Sequence, residues 1–340
     1  MSQLTLAERI GPTPEPALPH HPDAVTWRPA TAHDIDAIHC VIVAADLVDH
    51  PSWTTPRQDV ADTFELSHID HSRDTVLGFA HDGTPVAVGS SFVHPSQEVR
   101  IQIDLQGGVH PQWRRRGIGT ALLEWQHARA LQQLAASGST LPGEVRLHAG
   151  EYEHDAVTIA GRRGFHVDRW FASMERDLSA PVAERATPEG IALVPYTADR
   201  ALDALAARND AFRDHWGSLP TTPERWEKFV GGPFLRPDLS TLALDGDRIV
   251  AFCLASVNED DWATLGASHA YIDLIGVVRS HRGRGLAPLV ASRSLRAMAD
   301  AGLERAVLDV DTESPTGANS LYERLGFVVT ERERALVRRY

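Results

Sequence analysis

Val109-His-Pro-Gln-Trp-Arg-Arg-Arg-Gly-Ile-Gly119 and Val277-Val-Arg-Ser-His-Arg-Gly-Arg-Gly-Leu-Ala287 align without a gap, 168 positions apart, in a chain of 340 residues. Each stretch follows an apolar run and opens a segment with helical spacing. Outward from it the same order recurs. Residues 76–93, turning at Asp82-Gly83, match residues 242–257, turning at Asp245-Gly246. Val25-Thr-Trp-Arg-Pro-Ala-Thr31 resembles Ile191-Ala-Leu-Val-Pro-Tyr-Thr197. Three matches in one order make an internal repeat, and each copy has the size of an ordinary domain, about 100–200 residues.

Both copies read alike. A short strand (25–30; 191–196) leads to a helix (33–48; 199–215) and a second helix (56–68; 222–230). Asp-Gly between alternating apolar runs marks a hairpin (75–80 with 86–93; 241–244 with 249–257). A fourth strand ends at Val109 or Val277 and feeds the glycine turn, followed by a helix (120–136; 288–301). A strand (145–148; 306–310), a short helix and a last strand close each copy. The order predicts an α+β fold, a mostly antiparallel twisted sheet flanked by helices, present twice. The expected divisions are an arm at 1–24 carrying Pro12, Pro14, Pro16, Pro19 and Pro22, a first domain at 25–178, a linker at 179–190 punctuated by Pro181 and Pro188, and a second domain at 191–340.

The turns have an evident physical task. Glycine lets backbone approach a ligand closely, and the helix that follows offers unpaired N–H groups and a positive dipole end to an anion. Three adjacent arginines, Arg114, Arg115 and Arg116, add charge. Neither copy has the Gly-x-x-x-x-Gly-Lys-Ser/Thr of a nucleoside triphosphate loop, and the strands that precede the turn exclude a dinucleotide fold.

Arg114-x-x-Gly117-x-Gly119 and Arg282-x-x-Gly285-x-Ala287 resemble motif A of the GNAT acyltransferase superfamily, and Asn319-Ser-Leu-Tyr322-Glu-Arg-Leu-Gly326-Phe327 looks like its motif B. The resemblance covers roughly residues 25–340, and the tandem layout is similar to actinobacterial members, mycothiol synthases and acetyltransferases of natural-product clusters among them. It implies two acyl-CoA folds in which the turn binds the pyrophosphate of acetyl-CoA. The implied cofactor contacts are Val109, Arg114, Arg115, Arg116, Gly117, Ile118, Gly119, Thr120 and Ala121 in the first copy. In the second they are Val277, Arg282, Gly283, Arg284, Gly285, Leu286, Ala287 and Asn319. The family reaction is direct attack of an amine on the thioester, with Tyr322 as the acid that protonates the departing thiolate.

The copies are unequal. Counting back five residues from Phe327 reaches Tyr322, whereas five back from Phe165 lies Ala160; Val157 stands where Asn319 does. Conversely, Thr120 in the first turn is Pro288 in the second, which removes an N–H from the phosphate cradle while suiting the first helical position. The expectation is a first domain that holds acetyl-CoA tightly as a structural ligand and a second that binds acetyl-CoA or another acyl-CoA more weakly and performs transfer. The rival reading is a non-catalytic acyl-CoA-binding or regulatory protein.

Asp273 is the expected base or amine anchor, because alternation along residues 271–277 sets it beside Tyr271 and Ile275; His269 and Glu259 are alternatives. Gly108 and Gly276, each just before a motif valine, suggest a bulge that splays the fourth strand. Trp113 and His281, alike in place, are expected to line the turns. Lys plus Arg number 33 against 46 Asp plus Glu, a formal charge of −13 that disfavours nucleic acid and favours a small cationic amine. The 17 histidines show no metal-ligand spacing, so no metal is expected. Cys40 and Cys253 read as core fillers in a reducing cytoplasm. No apolar run spans a membrane, and residues 1–23 lack the basic start and apolar stretch of a secretory signal. A monomer or homodimer is expected.

Overall fold

A computed structural model of the protein describes residues 4–21, 26–50, 53–314 and 317–340. Positions 22–25, where the arm meets the first strand, lie outside them. The arm is anchored rather than merely extended. Its helix α1 (Leu6–Ile10) starts at a capping box in which the Thr5 hydroxyl accepts the Glu8 amide at 3.3 Å and the Glu8 carboxylate accepts the Thr5 amide at 2.8 Å. Leu6 is wholly buried in one core cluster with Ile101 and Leu134.

The first repeat then runs β1 (Thr26–Pro29), α2 (Ile35–Asp49), α3 (Arg57–Thr63), α4 (His71–Asp74), β2 (Thr75–Phe79), β3 (Pro85–Val93), β4 (Ile101–Val109), α5 (Ile118–Ala136), β5 (Gly143–Gly150), α6 (His154–Arg162) and β6 (His166–Asp177). The second runs β7 (Ile191–Pro195), α7 (Ala201–Ala211), α8 (Pro223–Gly231), β8 (Thr241–Asp245), β9 (Arg248–Ser256), α9 (Trp262–Leu265), β10 (His269–Val277), α10 (Leu286–Asp300), β11 (Arg305–Asp311), α11 (Ala318–Arg324) and β12 (Val328–Arg339). Gly83 (φ +85°) and Gly246 (φ +58°) supply the left-handed residue that each hairpin needs.

The strand pairing also repeats. β1, β2, β3 and β4 are antiparallel neighbours, as are β7, β8, β9 and β10. β4 pairs with β5 in parallel, and so does β10 with β11. Both parallel ladders are short. β4 and β5 pair from Ile101 opposite Gly143 to Asp104 opposite Arg146, and β10 and β11 from His269 opposite Arg305 to Tyr271 opposite Val307. Beyond these points each pair of strands runs on without further pairing, and a cleft opens between them.

The chain does not divide at the linker. The last strands are exchanged: β5 receives Glu333 to Arg339 of β12, and β11 receives Phe171 to Asp177 of β6. The compact units are therefore Met1–Arg169 with Glu333–Tyr340 (unit 1) and Trp170–Arg332 (unit 2), in place of the contiguous halves 25–178 and 191–340. The cause is burial. Ala172 and Met174 of β6 lie in the unit 2 core, while Leu336 of β12 joins Val145 and Leu134 in that of unit 1. Residues 179–190 carry no regular structure, and buried Arg176 holds their start through the carbonyls of Ala180 and Pro181.

Candidate active site

The two glycine turns share one backbone. Gly117 (φ +96°) and Gly285 (φ +73°) are the left-handed N-caps of α5 and α10. Two residues before them, Arg115 (φ +65°) and Gly283 (φ +75°) are left-handed again, and Arg115 is the one non-glycine with positive φ among the described residues. A position that glycine fills without strain in unit 2 is held by arginine in unit 1 at a cost of about 1–2 kcal/mol. The helices begin two residues earlier than the spacing predicts, so Thr120 and Pro288 are third rather than first helical residues. The Thr120 and Ala121 amides both turn back to the Gly117 carbonyl at 3.1 Å. The amides of Ile118 and Gly119, in the first turn, point out of the helix end.

The arginines expected to face the anion are engaged elsewhere. Arg114 lies on Asp49 of α2 through two bonds of 2.7 and 2.5 Å and donates to the Val109 carbonyl at 3.0 Å. Arg282 lies on Asp214 at 2.8 Å and on the Ala211 carbonyl at 2.8 Å. Arg115 pairs with Asp155, and Arg116 stacks 4.8 Å over Trp113. Arg284 is exposed. His281 is buried against Asp245 at 3.0 Å rather than lining the turn. Each motif arginine therefore latches the end of the second-repeat or first-repeat helix to the turn, a structural use of charge.

An Asp-His pair lies at the end of α2 and just past the end of α7 and escaped the sequence reading: Asp49-His50 and Asp214-His215. The dipeptide was visible, but its spacing of 165 residues differs from 168 because the intervening loops differ in length. In unit 1 the His50 ring stacks on Trp53 (5.0 Å) and its Cε1 would lie 3.3 Å from a Cβ on Gly150, at the end of β5. The Glu153 carboxylate accepts the Gly150 amide at 2.6 Å, and burial pushes its pKa up. His148 meets Glu333, which the exchanged strand brings.

Gly276 and Gly108 do not make the bulge. Both pair in regular register, with Phe252 and Val88, and the ladder slips instead between Ile272 and Leu274, so Asp273 is the bulged residue. Gly276 is glycine because the Phe252 ring lies across it: a Cβ there would sit 2.3 Å from Phe252 Cζ. The bulge breaks the alternation assumed for Asp273, whose carboxylate accepts the Ser256 hydroxyl. Tyr271 donates to Asp309 of β11 at 2.7 Å, at the last paired position before the cleft. His269 is buried, and Glu259 lies exposed on a short 3₁₀ turn.

Tyr322 of α11 is 9% exposed, packed edge-on to Phe327 at 6.0 Å. Burial, and then nearby Cys253, push its phenol pKa up, so it stays protonated. The corresponding Ala160 is wholly buried on α6. Asn319 donates its amide to the Asp311 and Thr312 carbonyls (3.0 and 2.9 Å), tying α11 to the end of β11. Cys253 is buried as expected, whereas Cys40 is exposed on α2.

A sequence model of the acetyltransferase (GNAT) family matches residues 42–143 and 202–327, once in each repeat. The chain belongs to the GNAT acetyltransferase family. It is a tandem GNAT N-acetyltransferase of actinobacterial type, which sets transfer ahead of the binding-only reading. A mycothiol acetyltransferase of Salinispora arenicola is 33% identical over 264 residues, 74% of either chain. That of Clavibacter sepedonicus is 26% identical over 319 residues, 92% of this chain and 95% of its own. A GCN5-related N-acetyltransferase from Sphaerobacter thermophilus superimposes with a TM-score of 0.68 at 25% identity, covering 94% of this chain and 97% of that one. A tandem GNAT protein from the clavulanic acid biosynthesis pathway shares the fold, with a TM-score of 0.66 at 16% identity over 93% and 98% of the two chains.

The GNAT turns fit an acyl-CoA diphosphate. A Cβ on Gly283 or Gly285 would meet nothing within 4 Å, so the unit 2 cradle is open. Over the unit 1 cradle lies His21 from the arm, whose Nε2 donates to the Arg116 carbonyl at 2.5 Å. Among the described residues no group of three His, Cys, Asp or Glu could hold a metal, and no helix is long and apolar enough to cross a membrane.

Proposed function

We propose that unit 2 transfers the acetyl group of acetyl-CoA to a small primary amine, and that unit 1 keeps acetyl-CoA as a bound, non-reacting ligand. One observation carries this reading: buried Tyr322 stands on α11 in unit 2, and Ala160 stands in its place in unit 1. A phenol kept protonated by burial suits a general acid, a contribution of about 10²–10⁴-fold. The mycothiol acetyltransferase relatives make the amine precursor of mycothiol the first acceptor to try. Asp273 and Asn319 belong to the same reading, the one as an anchor for the amine and the other as a cofactor contact.

The asymmetry of affinity rests on Pro288, which lacks an N–H where Thr120 has one. Because the Thr120 amide already turns back to Gly117, the expected difference is smaller than a full charged hydrogen bond. Amine-dependent release of CoA thiol, assayed with the mycothiol precursor, amino acids, aminoglycosides and diamines, tests the transfer. Loss of release in Tyr322→Phe with acetyl-CoA binding retained supports unit 2 as the seat of chemistry; undiminished release in that variant refutes it.

A further inference from the structure

We propose that His215 is the base that accepts the proton of the attacking amine in unit 2, a reading that rests on transfer taking place there. His215 sits just past α7, in a turn closed by its own amide on the Phe212 carbonyl at 3.1 Å. Its ring packs on Phe212 (4.6 Å), which in turn stacks on Phe252 of β9 (6.4 Å). The charged groups around it are Arg282 of the glycine turn, Asp311 at the end of β11, Arg208 of α7 and its neighbour Asp214. Asp214 is occupied by Arg279 and Arg282, and Arg208 by the Leu219 carbonyl and Asn209. His215 is half-buried, so one edge reaches solvent.

Strand alternation decides which side it serves. Phe252 faces α7, whereas the next residue, Cys253, faces Ser294 of α10 and Tyr322 of α11. His215 and Tyr322 thus belong to opposite faces of the unit 2 sheet. A thioester lying in the cleft between β10 and β11 would show one side to each, which separates the proton acceptor from the proton donor. Burial, then Arg282, hold the imidazole below its ordinary pKa, so it is neutral and basic near pH 7.

The amine nitrogen bonds to the thioester carbonyl carbon as the C–S bond breaks. One N–H proton passes to the His215 imidazole, and the leaving thiolate takes the Tyr322 phenol proton. The products are an amide and CoA thiol; the imidazolium then returns its proton to the phenolate through solvent.

The test is the pH dependence of kcat/KM for nitrogen-dependent CoA release by the full chain, with hydroxylamine as the minimal acceptor beside the amine panel. The wild type should lose activity on the acid side through two ionisations, that of the acceptor nitrogen and that of the enzyme. His215→Asn should abolish the enzyme's ionisation, leaving only the acceptor's, and lower the rate at pH 7.5 by about 10²-fold or more, with acetyl-CoA affinity by calorimetry within about threefold. His215→Gln guards against a folding defect confined to one variant, and added imidazole should restore part of the rate of His215→Ala. An enzyme ionisation that persists in His215→Asn beside the acceptor's, at near wild-type rate, overturns the proposal while Tyr322→Phe still reports on the transfer itself. No nitrogen-dependent release in the wild type overturns both.

Discussion

The carboxylate of Asp214 receives the guanidinium of Arg282 at 2.8 Å and so fastens the residue just after α7 to the glycine turn. Arg279, then Arg282, hold the Asp214 carboxyl at about 2. Its folded pKa lies below the ordinary carboxylate value, so the contribution is complete above about pH 4 and is lost as pH falls toward 2. Because the pair is exposed, its effect is modest. Asp214→Asn should weaken acetyl-CoA binding at unit 2 by about two- to fivefold, equally at pH 5 and pH 9, by titration calorimetry.

Gly276 and Gly108 occupy matched positions in the two fourth strands but should respond differently to a methyl group. In Gly276→Ala the new Cβ meets the Phe252 ring at 2.3 Å, in Gly108→Ala only Ala45 at 3.7 Å. Urea unfolding should show the first substitution costing about 1–3 kcal/mol. The second should stay within about 0.5 kcal/mol.

His127 predicts acid sensitivity in unit 1. It is buried beside the Tyr340 hydroxyl at 2.5 Å, and burial, then Arg338, lower its pKa to about 4. The unfolded chain binds the proton more readily, so stability is present above about pH 6.5 and is lost as pH falls toward 4, by up to about 3 kcal/mol. Unfolding midpoints between pH 4 and 7 should slope upward, and His127→Gln should flatten the slope.

Leu6 tests the anchoring of the arm. It is 0% exposed in a cluster with Ile101 and Leu134. Leu6→Ala should cost unit 1 about 2–5 kcal/mol. Thermal unfolding with an unmoved midpoint would show that the arm does not pack as described.

Much of the architecture was legible because its signals are local. Asp82-Gly83 and Asp245-Gly246 specify hairpins within four residues, and the glycine turns carry their own left-handed positions at Gly117 and Gly285. The candidate site was legible only where it lies in one motif, as with Tyr322 against Ala160. Arg114 and Arg282 were expected as ligand contacts, and their ion pairs were not legible, because the acids that hold them, Asp49 and Asp214, stand 65 and 68 residues away in the sequence. Asp273 keeps the side of Tyr271, whose cross-strand partner Ser256 it meets, but the bulge turns Ile275 to the other face, a break in alternation without any local sign.

The sequence by itself determined that one fold occurs twice and that only the second copy keeps a phenol at the end of its motif. Turn residues and hydrophobic periods act over a few positions, so they can be read without coordinates. The tertiary structure alone decided which sheet each last strand completes and which acid latches which arginine. Two like copies offer β6 and β12 equivalent edges on β5 and β11, so the pattern along either strand is satisfied by both. Only the burial of Met174 in one core and Leu336 in the other breaks that tie.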